Sequence, residues 1–119
     1  MQQVLLNLVT NAVQACGSQS QALVEVRACA LDGPPATPPH GLEVLRSAQP
    51  AGTPGLLLEV SDNGDGMPAD VAHRIFEPFF TTKAAQKGTG LGLAVVHGIL
   101  RDHDATLHLC TVPGQGTRF

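Results

Sequence analysis

Apolar residues recur at helical spacing along the first sixteen positions. Val4, Leu5, Leu8, Val9, Ala12, Val13 and Cys16 fall on one side of a helix predicted from Gln2 to Cys16, with Gly17 as its C-terminal cap. The period then changes to two. From Ala22 to Leu31, Val24, Val26 and Ala28 alternate with Glu25 and Arg27, which predicts a half-buried strand. Most of the prolines gather in residues 32–55, and that stretch reads as a long surface loop or insertion. Leu56 to Asp62 predicts a second strand, with Leu56, Leu58 and Val60 as core side chains and Asp62 on the same face. A short helix is expected from Ala69 to Phe76 after Pro68, and a longer one from Leu91 to His103. Ala105 to Val112 predicts a third strand, and a turn at Pro113 to Gly116 leads into a final strand begun by Thr117. Strands and helices in this order, without regular βαβ alternation, predict an α+β two-layer sandwich.

Composition narrows this picture. The 119 residues, 43% of them apolar, suffice for one domain with a real core, residues 1–119. A net charge of −3 with no Trp or Tyr argues against a nucleic-acid groove, which needs basic stripes or stacking rings. Cys16, Cys29 and Cys110 are odd in number and lack metal-type spacing, so reduced thiols in a cytoplasmic protein are expected. No apolar run approaches the roughly 18 residues that cross a bilayer, so no membrane contact by this segment is expected. Met1 opens directly on a helical pattern and Phe119 falls within a strand pattern; both ends are expected to continue into a longer protein, which holds any membrane anchor.

Five short blocks carry the chemistry. Asn7 and Asn11 stack on one helix face beside the apolar stripe, where amide oxygens suit a hard cation or simply face solvent. Asp62 ends a strand at Asn63-Gly64-Asp65-Gly66, either an ordinary turn or a carboxylate awaiting a donor such as a purine amino group. Phe76 to Lys83, with Phe79 and Phe80 as anchors and Lys83 or Lys87 as cations, is suited to close over a ligand; core packing is the alternative for the rings. Gly88-Thr-Gly-Leu-Gly92 precedes an apolar helix, where bare N–H groups and the helix dipole favour a phosphate. Gly114 to Thr117 reads as a second backbone cradle. The dinucleotide and Gly-Lys-Ser/Thr fingerprints are both absent. His40, His73, His97, His103 and His108 are scattered and read as structural or surface residues.

In this order the blocks resemble the ATP-binding catalytic domain of sensor histidine kinases, within the superfamily shared with gyrase B, Hsp90 and MutL. The nitrogen-regulation-like kinases are the nearest in pattern, through Ile75 to Lys83 and Gly90 to Gly98. The resemblance implies a mixed sheet faced by helices, truncated at both ends, with an ATP lid over residues 76–90. It implies ATP and Mg²⁺ as cofactors, Asn11 as the metal ligand, and Asn7 and Gln14 near the metal and phosphates. Asp62 would accept from the adenine amino group, with Gly64, Gly66 and Met67 beside the ring and Thr117 at the same contact. Gly88, Gly90, Leu91, Gly92 and Leu93 would lie at the phosphates, and Thr82 and Lys83 on the lid. Adenine specificity is inherited from the resemblance, because a carboxylate also suits guanine. The ATPases of the superfamily place a glutamate where Asn7 stands, so phosphoryl transfer is expected over hydrolysis. The implied partners are a histidine-bearing dimerisation domain of the same protein, a response regulator receiver domain and a second subunit of the full-length homodimer. The acceptor histidine lies outside this chain, which on its own is expected only to bind ATP. A degenerate module that senses ATP without transferring phosphate is the alternative.

Overall fold

A computed structural model describes residues 1–33, 41–50, 52–82 and 89–119. Helix α1 spans Gln2–Cys16, as its apolar period dictates, and ends at Gly17, whose φ of 54° suits a residue without Cβ. Strands β1 (Val24–Leu31), β2 (Leu42–Leu45), β3 (Gly55–Asp62), β4 (Leu107–Val112) and β5 (Gly116–Arg118) build one sheet in the order β1-β3-β5-β4-β2. Helices α2 (Ala69–Ala72) and α3 (Gly92–Asp102) complete the elements. The class is α+β as the pattern predicts, but every described strand pair is antiparallel, so the mixed sheet narrows to an antiparallel one.

The core lies between one sheet face and the helices. Val4, Leu8 and Ala12 of α1 meet Val96 and Leu100 of α3 over Val60 and Leu107. Each aliphatic side chain buried this way contributes about 1.5–3 kcal/mol. A smaller cluster of Ala72, Ile75 and Leu109 continues it beneath α2, joined by Phe76 and Phe80.

Three expectations change. The proline-rich segment at 32–55 is not loop throughout: Leu42–Leu45 forms β2, which pairs with β4 at the far edge of the sheet. Its short apolar run Leu42-Glu-Val-Leu45 was hidden by the flanking prolines. The strand β1 is exposed along most of its length rather than half-buried, because α1 covers only the end of the ribbon near Val60. Leu56, at the other end, is correspondingly 69% exposed and not part of the core.

Candidate functional site

The end of β3 is fastened before it can present Asp62. Asn63 accepts a hydrogen bond at Oδ1 from the Leu23 N–H (2.8 Å) and donates through Nδ2 to the Gln21 carbonyl (2.8 Å). Its backbone N–H donates to Leu23 and its carbonyl accepts from Gln19. Asn63 thus ties the connection after α1 to the strand end. The next residues run against α1 so closely that a Cβ on Gly64 would lie 2.5 Å from the Ala15 carbonyl oxygen, and the Asp65 N–H donates to that same oxygen. Gly66 has φ of 64° and its Cβ would strike the Val112 carbonyl.

Asp62 faces Thr117 across the β3–β5 pair. Its Oδ1 accepts from the Gly64 N–H at 2.8 Å, and the Thr117 backbone also donates to the carboxylate. Burial nevertheless outweighs these bonds and raises its pKa above the ordinary carboxylate value. Thr117 is itself buried, with its hydroxyl 3.0 Å from that of Thr111. Thr111 also accepts from the Met67 N–H at 2.9 Å, fixing the chain opposite Asp62.

From α1 the side-chain amide of Asn7 donates to the Gly92 carbonyl at 3.1 Å. The helix α3 begins at Gly92 with no side-chain cap among the described residues and no acidic residue in its first turn, so its own first turn leaves the positive end unneutralised. Phe79 and Gly90 are paired directly: the Phe79 N–H donates to the Gly90 carbonyl at 2.8 Å, and both have positive φ. The Phe79 ring is 75% exposed and therefore no core residue, whereas Phe80 packs inward under the Arg74 guanidinium, 4.4 Å from the ring centre.

Together these pieces surround a cleft of about 700 Å³. Of the residues singled out from sequence, Asn7, Asn11, Gln14, Asp62, Gly66, Met67, Thr82, Gly90, Gly92, Leu93 and Thr117 line it. Gly64 and Leu91 lie off its wall: Gly64 is held by packing against α1, and Leu91 is 38% exposed. Lys83 and Gly88, like Lys87 and His40, lie outside the described residues. Gly114 to Thr117 is a hairpin turn rather than a phosphate cradle; the Gly114 N–H donates to the Asp65 carbonyl at 2.7 Å, and Gly116 passes against the Asp62 carbonyl. Sequence reasoning missed Thr10, Asp65, Thr81, Thr89 and Thr111, along with the apolar wall of Val71, Ile75, Phe80 and Phe119. Thr81 and Thr89 sit inside the recognised blocks and were within reach; Thr111 carries no signal beyond its place in a strand.

Of the histidines, His97 packs on Phe76, His103 Nδ1 lies 2.8 Å from the Ile99 carbonyl, and His108 faces Glu43 across β2 and β4. No group of three or more His, Cys, Asp or Glu residues is placed to hold a metal among the described residues, and no described helix is long and apolar enough to cross a membrane.

An α+β domain whose helix layer and loops enclose a cleft of this volume, with the half-buried Asp62 carboxylate and several amides at its wall, has the form of a nucleotide-binding module. The family of histidine kinase-, DNA gyrase B- and HSP90-like ATPases matches residues 1–119, and the chain belongs to it. The chain is 39% identical over 117 residues to the sensor histidine kinase ZraS of Escherichia coli (strain K12), covering 98% of this chain and 20% of that protein. It is 50% identical over 64 residues to the sensor kinase CckA of Brucella abortus (strain 2308), covering 54% of this chain and 7% of that one. The signal transduction histidine-protein kinase AtoS of Escherichia coli (strain K12) is 32% identical over 119 residues, all of this chain and 16% of AtoS. The chain thus spans a fifth or less of the length of these relatives.

Proposed function

We propose that this chain is the ATP-binding catalytic domain of a two-component sensor histidine kinase. In this reading it holds Mg-ATP and presents the γ-phosphate to a histidine on a separate dimerisation domain, from which the phosphoryl group passes to a response regulator. The observation that carries the reading is the gathering, around one cleft, of side chains from α1, the β3 end, the start of α3 and β5, elements far apart in sequence.

The residues present fit the groups proposed. Asp62 offers a partly desolvated carboxylate to an exocyclic amine, and a donor there offsets the burial that raises its pKa. Asn11 lies on the cleft wall, and a neutral amide oxygen suits a hard cation that takes most of its oxygens from phosphates and water. With no cluster of acidic, His or Cys ligands among the described residues, such a cation arrives with the nucleotide. The N-terminus of α3 receives phosphate oxygens. ATP, when bound, supplies the phosphoryl group; the chain contributes position and charge stabilisation. Asn7 has no basic group with which to activate water, and its amide N–H is engaged by Gly92, which favours transfer over hydrolysis.

Calorimetric titration with a non-hydrolysable ATP analogue, with and without Mg²⁺, beside the GTP analogue and an Asp62→Ala control, tests the binding. Adenine-selective binding lost in the control supports the reading, and a folded chain that binds neither nucleotide refutes it. Autophosphorylation of the longer protein separates a kinase from a module that only senses ATP.

A further inference from the structure

The two edges of the sheet differ. At one, β2 is four residues long and its pairing with β4 shifts register between Glu43 and Leu45. Short strands and irregularities of this kind discourage edge-to-edge association. At the other edge, β1 runs eight residues, Val24–Leu31, in unbroken register with β3, and contains no proline, lysine or bulge. No strand among the described residues lies beyond it.

Backbone polarity along β1 follows from its first contact. The Asn63 N–H donates to the Leu23 carbonyl, so Leu23 directs its polar groups towards β3. These groups alternate from one strand side to the other, and Val24, Val26, Ala28 and Ala30 therefore turn theirs outward. The same four residues carry their side chains on the helix-bearing face, opposite Asp62, Val60, Leu58 and Leu56. Val26 is 47% exposed and Leu56 69%. Among the described residues, outward hydrogen-bonding groups without a strand partner and uncovered apolar side chains thus coincide along one edge.

We infer that β1 pairs antiparallel with β1 of a second copy of this chain, about a two-fold axis at Val26. A continuous sheet requires outward-bonding residues to oppose one another, so even-numbered positions meet even-numbered ones. Within that set the charges select the register. Centring on Val26 places Glu25 opposite the second copy's Arg27, Arg27 opposite its Glu25, and Val24 opposite its Ala28. Centring on Glu25 or Arg27 sets like charges against each other, and centring on Ala28 loses both ion pairs. Glu25 and Arg27 are exposed, 3.9 Å apart in their own chain, with Arg27 also opposite Glu59 on β3. In the selected register they fall at non-hydrogen-bonded positions, where opposing side chains approach most closely.

Sedimentation equilibrium of the 119-residue chain tests this, with hydrogen exchange read residue by residue. The expected result is a monomer–dimer equilibrium in which the Val24, Val26 and Ala28 amides gain protection as concentration rises. Arg27→Glu weakens dimerisation roughly tenfold through two like-charge contacts, and adding Glu25→Arg restores it. Val26→Pro removes an outward N–H without touching the β1–β3 bonds and yields a monomer with unchanged circular dichroism. A wild-type chain that stays monomeric at every concentration, or a dimer indifferent to the charge reversals, overturns the inference; should the proline variant not fold, the charge series decides alone.

Discussion

Asn7 on α1 and Gly92, the first residue of α3, are joined by a side-chain amide donating to a backbone carbonyl at 3.1 Å. The bond sets one wall of the cleft against another, so it bears on stability and on binding together. Asn7→Ala is expected to cost about 1 kcal/mol in urea denaturation and to weaken nucleotide binding measured by calorimetry. Asn7→Asp, which cannot donate, should be at least as damaging.

The raised pKa of Asp62 gives a signed pH dependence. Its folded value lies above the ordinary 3.8, so the folded state holds the proton more tightly than the unfolded one. Stability from this group is therefore full below the ordinary value and is lost as pH rises through the folded value. Asp62→Asn keeps an acceptor for the Gly64 N–H without the buried charge. The variant should be more stable than the wild type at neutral pH, with the difference shrinking under acid, in denaturation curves across a pH series. Under the proposed function it loses adenine binding over the same range.

Gly66 is constrained twice, by its left-handed backbone and by the Val112 carbonyl where a Cβ would stand. Gly66→Ala is expected to destabilise by about 3 kcal/mol, read as a lowered Tm. Alanine at Gly114 meets no atom within 4 Å and strains only the backbone, so a smaller loss there separates collision from conformation.

Thr111 lies outside the cleft yet its hydroxyl receives the Met67 N–H and meets the Thr117 hydroxyl. Thr111→Val keeps the shape and leaves the Met67 N–H without that acceptor, at a cost of about 1–3 kcal/mol. Thr111→Ser should retain most of the stability in thermal melts.

Under the proposed function, nucleotide affinity should fall when Mg²⁺ is chelated, because the cation would neutralise phosphate charge at a wall where Asn7, Asn11 and Gln14 offer neutral amides. Calorimetry with and without a chelator checks it, and Asn11→Ala should reduce the difference.

What was legible from sequence followed from strong local periods. Residues 2–16 give α1 through a stripe that only a helix can gather on one side, and the polar pair Asn7 and Asn11 follows from the same geometry. Strand β2 escaped because four residues between prolines carry too little period, and its formation depends on β4, more than sixty positions later. The exposure of Leu56 was equally hidden: alternation shows which residues share a face but not how far a helix reaches over it. The glycine blocks stand out in the sequence, but Gly64 and Gly116 answer to backbone passing close by, a tertiary fact with no local trace.

The sheet order also dictates when its parts can form. β1 finds β3 after a span of some two dozen residues, but β2, threaded between them in sequence, has only β4 to pair with on the opposite edge. On a ribosome β2 therefore emerges well before its partner and must wait through the synthesis of β3, α2 and α3. Closing so long a loop is slow compared with joining β1 to β3. The far edge is thus the last part of the sheet to consolidate, and a stalled chain ending before Leu107 would expose β2 without a mate.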